Sequence, residues 1–350
     1  MRMADVEKVG ARLGRHSYQV VSAHELLAAG VDMSVVARLV ATRRWQRLWR
    51  GMYLCGPGPL SPVARAHAAL KHVAPRPRRP APDPAAETPT PPARAASRPA
   101  ARAVISGLAG CARLGLRYVP AHTRVLVLVP THVRTPSNKE VLVRRTRDVG
   151  LAGGSTVAGV RIAEASRCVA DGARECSSLR DVRGLVLAAI ADRITTPAEL
   201  RALASSGGTR GAAWLRRAIR DAERGAASAP EAEVVDALIG RGIPFVVNAE
   251  IWLDGVLLAV FDIYLLGTGM GAEVDSVEWH GSSESMSLTL DRHERSSSRG
   301  LSLKHVTPKK FRADPSGFVD RLLAEAAERQ VRGLGEPPGL EIRARGPVLR

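Results

Sequence analysis

A short stretch near the end of this 350-residue chain places carboxylates and a histidine close together. The segment AEVDSVEWHGS, residues 272–282, contains Glu273, Asp275 and His280. In a β-strand the side chains of Glu273 and Asp275 lie on one face, because strand side chains alternate. Two like charges side by side repel each other unless a positive charge lies between them. A metal ion is therefore a candidate for that positive charge.

Two further carboxylates come from neighbouring predicted elements. Asp262 lies inside the apolar strand LLAVFDIYLL, and Glu231 lies on the helix that precedes the strands. If both converge with Glu273 at one end of a sheet, they suit Mg²⁺ or Mn²⁺, which prefer oxygen ligands. Such a cation polarises a phosphodiester and lowers the pKa of a bound water. His280 or Asp275 would then assist proton transfer.

Each of these acids also has a structural interpretation. Glu231 stands three residues after Ser228, which fits a capping box with no catalytic role. Asp262 in an apolar strand needs a partner, because burying an unpaired carboxylate is costly. That partner could be Arg292 or Arg295 instead of a metal ion.

Other polar residues of this region have plain structural interpretations. Glu278 is expected on a solvated face of its strand. His293 and His305 are expected as ordinary residues of a helix and a strand. None of the three is assigned a chemical role.

The elements that must position the candidate residues follow from periodicity and turn signals. After an opening helix, two apolar strands meet at Asp254 and Gly255, an Asp-Gly pair typical of a β-hairpin. A third strand carries Glu273, and a helix, a fourth strand at LSLKHVTP and a closing helix follow. The order αβββαβα over residues 228–332 predicts one domain, with residues 333–350 as a flexible tail.

Residues 1–72 predict short helices followed by a strand pair. Ser22 and Glu25 fit a capping box, and DMSVVARLVATRR then restarts a helix with one apolar face. WQRLWRGMYLC alternates around Gly51, which favours a tight strand turn. Helix, turn, helix and ribbon is the outline of a winged helix-turn-helix.

Basic residues concentrate on the second helix and the ribbon of this segment. Between residues 34 and 50 the chain has no acid and five arginines. They are Arg38, Arg43, Arg44, Arg47 and Arg50. These elements enter the DNA grooves in the winged-helix motif, so the sequence predicts a DNA-binding surface. A small helical bundle with a solvated Arg face is the alternative.

Two other segments complete the predicted organisation. Residues 73–100 hold nine of the 23 prolines and almost no large apolar residue, which predicts a disordered linker. Residues 101–227 predict a mixed α/β connecting domain, with a helix at AVISGLAGCARLGL and strands at TRVLVLVP, KEVLVRRTRD and VAGVRIA. In this domain Asp171 and Glu175 are expected at the surface. The expected fold class of the whole chain is α/β multidomain.

The composition favours a polyanionic partner in the cytoplasm. The formal net charge is +17, from 51 Lys and Arg against 34 Asp and Glu, and such a surplus attracts nucleic acid. An anionic membrane or plain solubility is the alternative.

Four cysteines without Cys-x-x-Cys spacing disfavour a zinc site and are typical of a reducing compartment. Without a signal-peptide pattern or long apolar run, the sequence predicts a cytoplasmic protein that has no membrane contact.

The last domain resembles the endonuclease-like domain related to very-short-patch mismatch-repair endonucleases, within the PD-(D/E)XK nuclease superfamily. The matching features are Ser228-x-x-Glu231, Asp262, Glu273-Val274-Asp275, Trp279-His280, Arg295 and the stretch GLSLKHVTPKKFRADP. The resemblance implies a restriction-endonuclease-like fold and Mg²⁺-dependent DNA cleavage, with Glu231, Asp262 and Glu273 on the metal side. Asp275 stands where many superfamily members carry a catalytic Lys, and Arg292 stands where relatives carry Asp.

The first segment resembles the antitoxin winged-helix domain of abortive-infection type IV toxin–antitoxin systems. The matching stretch is VVSAHELLAAGVDMSVVARLVATRRWQRLWRGMYLC. The two resemblances together imply a DNA-binding protein with a metal-dependent endonuclease-like domain, acting in repair or defence. The alternative they leave open is a non-enzymatic antitoxin-like transcriptional regulator with a degenerate nuclease fold and a toxin or other protein as partner.

Overall fold

The structure, a computed structural model, describes residues 2–74, 103–147, 154–206, 211–274 and 299–350. Within them the chain is mixed α/β, with twelve helices and three sheets, as the sequence predicts at that level. Contacts divide the chain into two compact units, Met1–Glu175 and Cys176–Arg350. The predicted boundary at 227/228 therefore falls inside the second unit, and the predicted linker lies outside the described residues from residue 75 onward.

The first unit has six described helices and eight described strands. The helices are α1 (Met3–Gly14), α2 (Ala23–Ala28), α3 (Met33–Ala41), α4 (Pro62–Val73), α5 (Gly107–Arg113) and α6 (Ala165–Ala173). The strands are β1 (Val20–Ser22), β2 (Gln46–Trp49), β3 (Met52–Leu54), β4 (Val104–Ser106), β5 (Val125–Pro130), β6 (Val141–Thr146), β7 (Ser155–Val157) and β8 (Val160–Ile162). They form a three-stranded sheet in the order β1-β3-β2 and a five-stranded sheet in the order β6-β5-β4-β8-β7.

Helices α2 and α3 begin at local signals that the sequence displays. The predicted capping box starts α2: the Glu25 N–H donates to the Ser22 hydroxyl, and the Ser22 N–H donates to the Glu25 carboxylate. Asp32 caps α3 by accepting the N–H of the residue two positions on. The apolar face of α3 buries Val36 and Leu39 fully. Each such side chain stabilises the fold by about 1.5–3 kcal/mol.

Two segments of the five-stranded sheet differ from the prediction. The pattern AVISGLAGCARLGL predicts one helix, but the structure forms β4 first and begins α5 at Gly107. Gly107 has φ +64, a conformation that glycine adopts without strain, and the β-branched residues before it favour a strand. VAGVRIA predicts one strand, but Ala158 and Gly159 both have positive φ and turn it into the β7–β8 hairpin.

A buried carboxylate fastens α6 to this sheet, in contrast to the expectation that Asp171 and Glu175 lie at the surface. The Asp171 side chain is 1% exposed. It accepts hydrogen bonds from the Ser106 hydroxyl at 2.9 Å, Arg144 Nη1 at 2.9 Å and Arg167 Nε at 2.8 Å. Glu175 follows α6 directly, and burial raises its pKa to about 7. Asp171 is buried and Glu175 half-buried, and both accept hydrogen bonds from donors distant in sequence: Ser106 and Arg144 for Asp171, and the Leu108 N–H for Glu175.

The raised pKa of Glu175 predicts a pH-dependent stability. The folded state holds the carboxyl proton more tightly than the unfolded chain, whose value is near 4.5, so stability falls as pH rises from about 4.5 to 7. The total loss is at most roughly 3 kcal/mol. Glu175→Gln keeps an acceptor for the Leu108 N–H and should remove most of this loss, as urea unfolding at pH 5 and pH 8 would measure. Equal pH dependence in Glu175→Gln and in the exposed control Glu164→Gln would contradict the prediction.

The second unit has six described helices around one described sheet of five strands. The helices are α7 (Leu179–Ala191), α8 (Pro197–Ser206), α9 (Ala212–Glu223), α10 (Ala229–Leu238), α11 (Pro308–Ala313) and α12 (Pro315–Val331). The strands are β9 (Phe245–Leu253), β10 (Val256–Leu265), β11 (Met270–Val274), β12 (Ser302–Val306) and β13 (Leu340–Ala344). Their order is β12-β11-β10-β9-β13, and β11 and β12 are parallel whereas the other neighbours are antiparallel.

The ends of β9 show one prediction confirmed and one difference. Asp254 and Gly255 form the predicted hairpin turn, with φ of +51 and +81 as a type I′ turn requires. Residues 333–350, expected as a tail, instead supply β13, which pairs antiparallel with β9. The alternating Leu340 and Ile342 pack on the sheet, and β13 covers an edge of β9 that would otherwise expose unpaired backbone groups.

Apolar side chains cover both faces of this sheet. One buried cluster joins Val247 and Ile263 of the sheet to Val235 of α10 and Val319 of α12. The second cluster includes Phe261 and is formed largely by side chains of β9, β10 and β12. The first cluster fixes β9, β10 and β11 relative to α10, and these four elements carry Glu231, Asp262 and Glu273.

An ionic network ties α10 to the two helices before it. Arg183 of α7 donates to Asp221 of α9 at 2.8 Å and to Asp236 of α10. The Arg183 side chain is 5% exposed, so removal of one partner would leave a buried charge uncompensated. The network therefore holds α10 in place.

No helix among the described residues has the length and apolar character needed to cross a lipid bilayer.

Candidate functional site

Asp262 and Glu273 occupy neighbouring positions on adjacent strands. The antiparallel ladder of β10 and β11 ends at the pair of Ile263 and Ala272, and Asp262 and Glu273 are the next residues along the two strands. The Asp262 carboxylate reaches over to β11, where Oδ2 accepts the N–H of Val274 at 2.7 Å. The structure thus brings together the two acids that the sequence places on the second and third strands.

His305 extends this row of polar side chains onto β12. The parallel ladder of β11 and β12 pairs Glu273 with His305, and His305 Nδ1 lies 3.8 Å from Glu273 Oε2. The Glu273 side chain is 12% exposed and the His305 side chain 27% exposed. An imidazole in this position can hold or release a proton beside the carboxylate. Sequence reasoning treats His305 as an ordinary strand residue, because only the strand order reveals that it adjoins Glu273.

Asn248 joins the row from β9 and links it to Glu231. The β9–β10 ladder sets Asn248 across from Asp262. Asn248 has φ +49, a left-handed conformation that Asn tolerates better than most residues. Its Nδ2 donates to Glu231 Oε2 and to the Gly225 carbonyl, both at 2.8 Å. No sequence signal marks this residue, since an Asn inside a strand has no local pattern.

The geometry of Glu231 combines its two interpretations. Its N–H donates to the Ser228 hydroxyl at 3.3 Å, as the capping box predicts. Its carboxylate, however, accepts the N–H of Ala227 at 2.9 Å and the Asn248 amide. Glu231 is 8% exposed and lies one hydrogen bond away from the residue opposite Asp262. Glu231 is therefore linked to these strands through Asn248, and among the described residues it does not form one cluster with Asp262 and Glu273.

Asn248 should matter for stability because it satisfies two buried acceptors. Asn248→Ala removes both hydrogen bonds and should lower the free energy of unfolding by about 1–3 kcal/mol. Asn248→Gly removes the same bonds but accepts the positive φ more readily, so it should cost less than the Ala variant. Urea unfolding of the three proteins measures both effects. A wild-type stability in Asn248→Ala would show that the link to Glu231 carries no weight.

Asp262 and Glu273 are the pair best placed to hold a cation. In the parts of the chain that the structure describes, no three His, Cys, Asp or Glu side chains form a group that could hold a metal ion. Mg²⁺, however, is commonly held by one or two carboxylates, with water and substrate phosphate as its other ligands. The predicted site residues Asp275 and His280, and the alternative partners Arg292 and Arg295, lie outside the described residues.

The five arginines predicted to bind DNA are all exposed in the first unit. Their positions are Arg38 on α3, Arg43 and Arg44 between α3 and β2, Arg47 on β2, and Arg50 between β2 and β3. We call this set the arginine surface. One member is partly neutralised, because Arg44 Nη2 lies 2.6 Å from Glu7 Oε2 of α1. The sequence does not reveal that pair, since the two residues are 37 positions apart.

Comparison with known proteins identifies no family for this chain. No protein-family model matches it, and no curated protein matches it. The two family resemblances therefore stay predictions, and the chemistry available to the chain is inferred from its own side chains.

Proposed function

We propose that this chain is a DNA-binding protein whose second unit carries a metal-dependent endonuclease-like domain. The first unit binds DNA, and the second hydrolyses DNA phosphodiesters in repair or defence. The observation that carries the proposal is the cross-strand placement of Asp262 and Glu273, with the Asp262 carboxylate anchored on β11.

The order of elements in the first unit supports a winged helix-turn-helix. Strand β1 lies between α1 and α2 and pairs with β3, and the β2–β3 ribbon follows α3 directly. In DNA-binding proteins of the helix-turn-helix type, the second helix of the motif enters the major groove. Here that helix would be α3, and the ribbon would be the wing. All members of the arginine surface lie on these elements or on the connections between them.

The polar row in the second unit supports phosphodiester hydrolysis. A divalent cation, when bound, supplies Lewis-acid stabilisation and a water of lowered pKa. Asp262 and Glu273 would provide its oxygen ligands, and the buried Glu231 carboxylate accepts a hydrogen bond from Asn248. His305 lies beside Glu273 and can accept a proton there. Asp275 and His280 remain predicted participants in the same proton transfer.

A second candidate function is a non-enzymatic, antitoxin-like transcriptional regulator with a degenerate nuclease fold. The observation that favours it is that protein groups already bond these carboxylates. Glu231 accepts from Ala227 and Asn248, and Asp262 accepts from Val274. Such a network can hold the end of the sheet without a cation. The first unit would then bind a promoter, and the second would bind a toxin or another protein.

Cleavage of supercoiled plasmid separates the two functions. Wild-type protein is incubated with intact or mismatched DNA in Mg²⁺, Mn²⁺ or EDTA, and the topological forms are resolved on a gel. The endonuclease predicts nicked or linear DNA with either metal and none in EDTA. DNA that is bound but left intact with both metals is the result expected of the regulator.

A further inference from the structure

A cleft of about 750 Å³ lies between β12 and α12 in the second unit. Its floor is apolar, since Val306, Phe318 and Leu322 line it and also belong to the buried core. Its rim is strongly basic, with five Lys and Arg against two Glu, a formal charge of +3. The basic residues are Lys304, Lys310, Arg321, Arg329 and Arg332. An apolar floor with a positive rim suits a ligand that combines sugars with phosphates.

The ion pairs of the rim leave part of this positive charge available. Lys304 Nζ lies 2.5 Å from Glu325 Oε2. Burial raises the pKa of Glu325, but hydrogen bonds from Lys304 and Ser302 outweigh it and hold that pKa below its ordinary value. Glu325 is therefore ionised at neutral pH and neutralises Lys304. Arg329, by contrast, donates to two main-chain carbonyls, that of Thr268 at 3.0 Å and that of Gly300.

The outer part of the rim is exposed and weakly paired. Lys310 is exposed at the third position of the short helix α11. Arg321 pairs with Asp314 at 3.2 Å, but the two side chains are 69% and 55% exposed. Exposed pairs of this kind contribute about 0–1 kcal/mol, so an incoming phosphate can displace Asp314 at little cost.

The cleft adjoins the candidate cation site through β12. His305 lines the cleft, and its Nδ1 lies 3.8 Å from Glu273. β12 is the outermost described strand on this side of the sheet, so Lys304 and His305 lie at the edge of the sheet. Lysine is also unusually concentrated here, because three of the six Lys of the chain are Lys304, Lys309 and Lys310.

We propose that this cleft binds the phosphodiester backbone of the DNA strand next to Asp262 and Glu273. The inference rests on the proposed endonuclease function and adds to it the path of the substrate. Phosphates contact the Lys and Arg rim, and the sugars lie over the apolar floor. A strand bound in this way passes His305 and continues toward Glu273.

Amine acylation of the full-length chain tests the proposal directly. The protein is acylated in EDTA with and without duplex DNA, and modification at each Lys is measured by mass spectrometry. DNA should lower acylation of Lys304 and Lys310 by at least about threefold and leave exposed Lys139, in the first unit, unchanged. If polyglutamate protects the two lysines as well as DNA does, the cleft binds acidic protein segments and the proposal is wrong.

A double variant adds a second measurement. Lys310→Ala with Arg321→Ala should lower DNA affinity by about tenfold and reduce the salt dependence by about two phosphate contacts. The matched control is Arg345→Ala with Arg350→Ala, two exposed arginines near β13 at the opposite edge of the sheet, which should change neither. If DNA binding needs Arg43 and Arg47 but DNA leaves the cleft lysines unprotected, the cleft proposal is wrong and the proposed DNA-binding function is not affected. Absence of any DNA binding would overturn the proposed function with it.

Discussion

Glu273→Gln should lower the rate of metal-dependent DNA cleavage by at least about 100-fold, and Asp262→Asn should do the same. An amide has no charge and is a weaker ligand for a hard cation than a carboxylate. Both substitutions preserve side-chain size, and Asn keeps an oxygen that can accept the Val274 N–H. The folded structure should therefore survive while the cation is lost.

The control for these variants is a carboxylate in the same sheet but outside the polar row. Glu341 is exposed on β13, at the far edge from β12. Glu341→Gln should cleave plasmid at the wild-type rate. Time courses of nicking, together with thermal melting of each variant, separate loss of chemistry from loss of fold. Wild-type nicking by both Glu273→Gln and Asp262→Asn would remove the polar row from the mechanism.

Replacing the whole arginine surface by Ala should weaken DNA binding by about 100-fold or more at moderate salt and reduce the salt dependence by about three to five phosphate contacts. Each arginine that contacts a phosphate releases condensed counterions, so the loss should shrink as salt increases. Fluorescence anisotropy with labelled duplex over a range of salt concentrations measures both quantities. The control is Arg134→Ala with Arg147→Ala, two exposed arginines elsewhere in the same unit.

The pair between Arg44 and Glu7 makes the prediction more specific. Because Glu7 partly neutralises Arg44, Arg44→Ala should cost less affinity than Arg47→Ala. Conversely, Glu7→Gln releases Arg44 and should strengthen binding by severalfold at low salt. Equal effects of the two Arg variants, with no gain in Glu7→Gln, would contradict a DNA interface on this surface.

Sequence reasoning succeeds here where the signal is contained within a few residues. The Ser22–Glu25 capping box forms as predicted. The Asp-Gly turn after β9 also forms, because its backbone conformation is encoded by the two residues themselves. Such elements depend on neighbouring atoms along the chain and need no tertiary partner.

Several features that the sequence does not disclose depend on partners distant in the chain. Asp171 is buried where Arg144 of β6 and Arg167 of its own helix donate hydrogen bonds to its carboxylate. His305 adjoins Glu273 only because β11 and β12 are parallel neighbours, although 32 residues separate them in sequence. β13 forms because β9 has an edge with which the alternating segment Leu340–Ala344 can pair. Gly and Pro residues on either side of this short segment hide the strand signal in the sequence. Patterns of period two or 3.6 carry no information about which elements become neighbours.

The candidate site shows the same division. Asp262 stands out in an apolar strand, and Glu273 stands out near other acids, so both can be selected from sequence alone. The two roles of Glu231 could not be separated, because its partner Asn248 becomes visible only from the strand register. In this structure one oxygen of the Glu231 carboxylate, Oε2, accepts hydrogen bonds from both Ala227 and Asn248. Direct binding of a cation by Glu231 stays a prediction.

The central claim is that Asp262 and Glu273 together hold one divalent cation beside bound DNA. Electron paramagnetic resonance of free Mn²⁺, titrated with the protein–DNA complex, measures this binding without depending on the cleavage rate. We expect wild-type complex to bind one more Mn²⁺ per chain than the complexes of Asp262→Asn or Glu273→Gln. The same Mn²⁺ stoichiometry and affinity in all three complexes would contradict the claim.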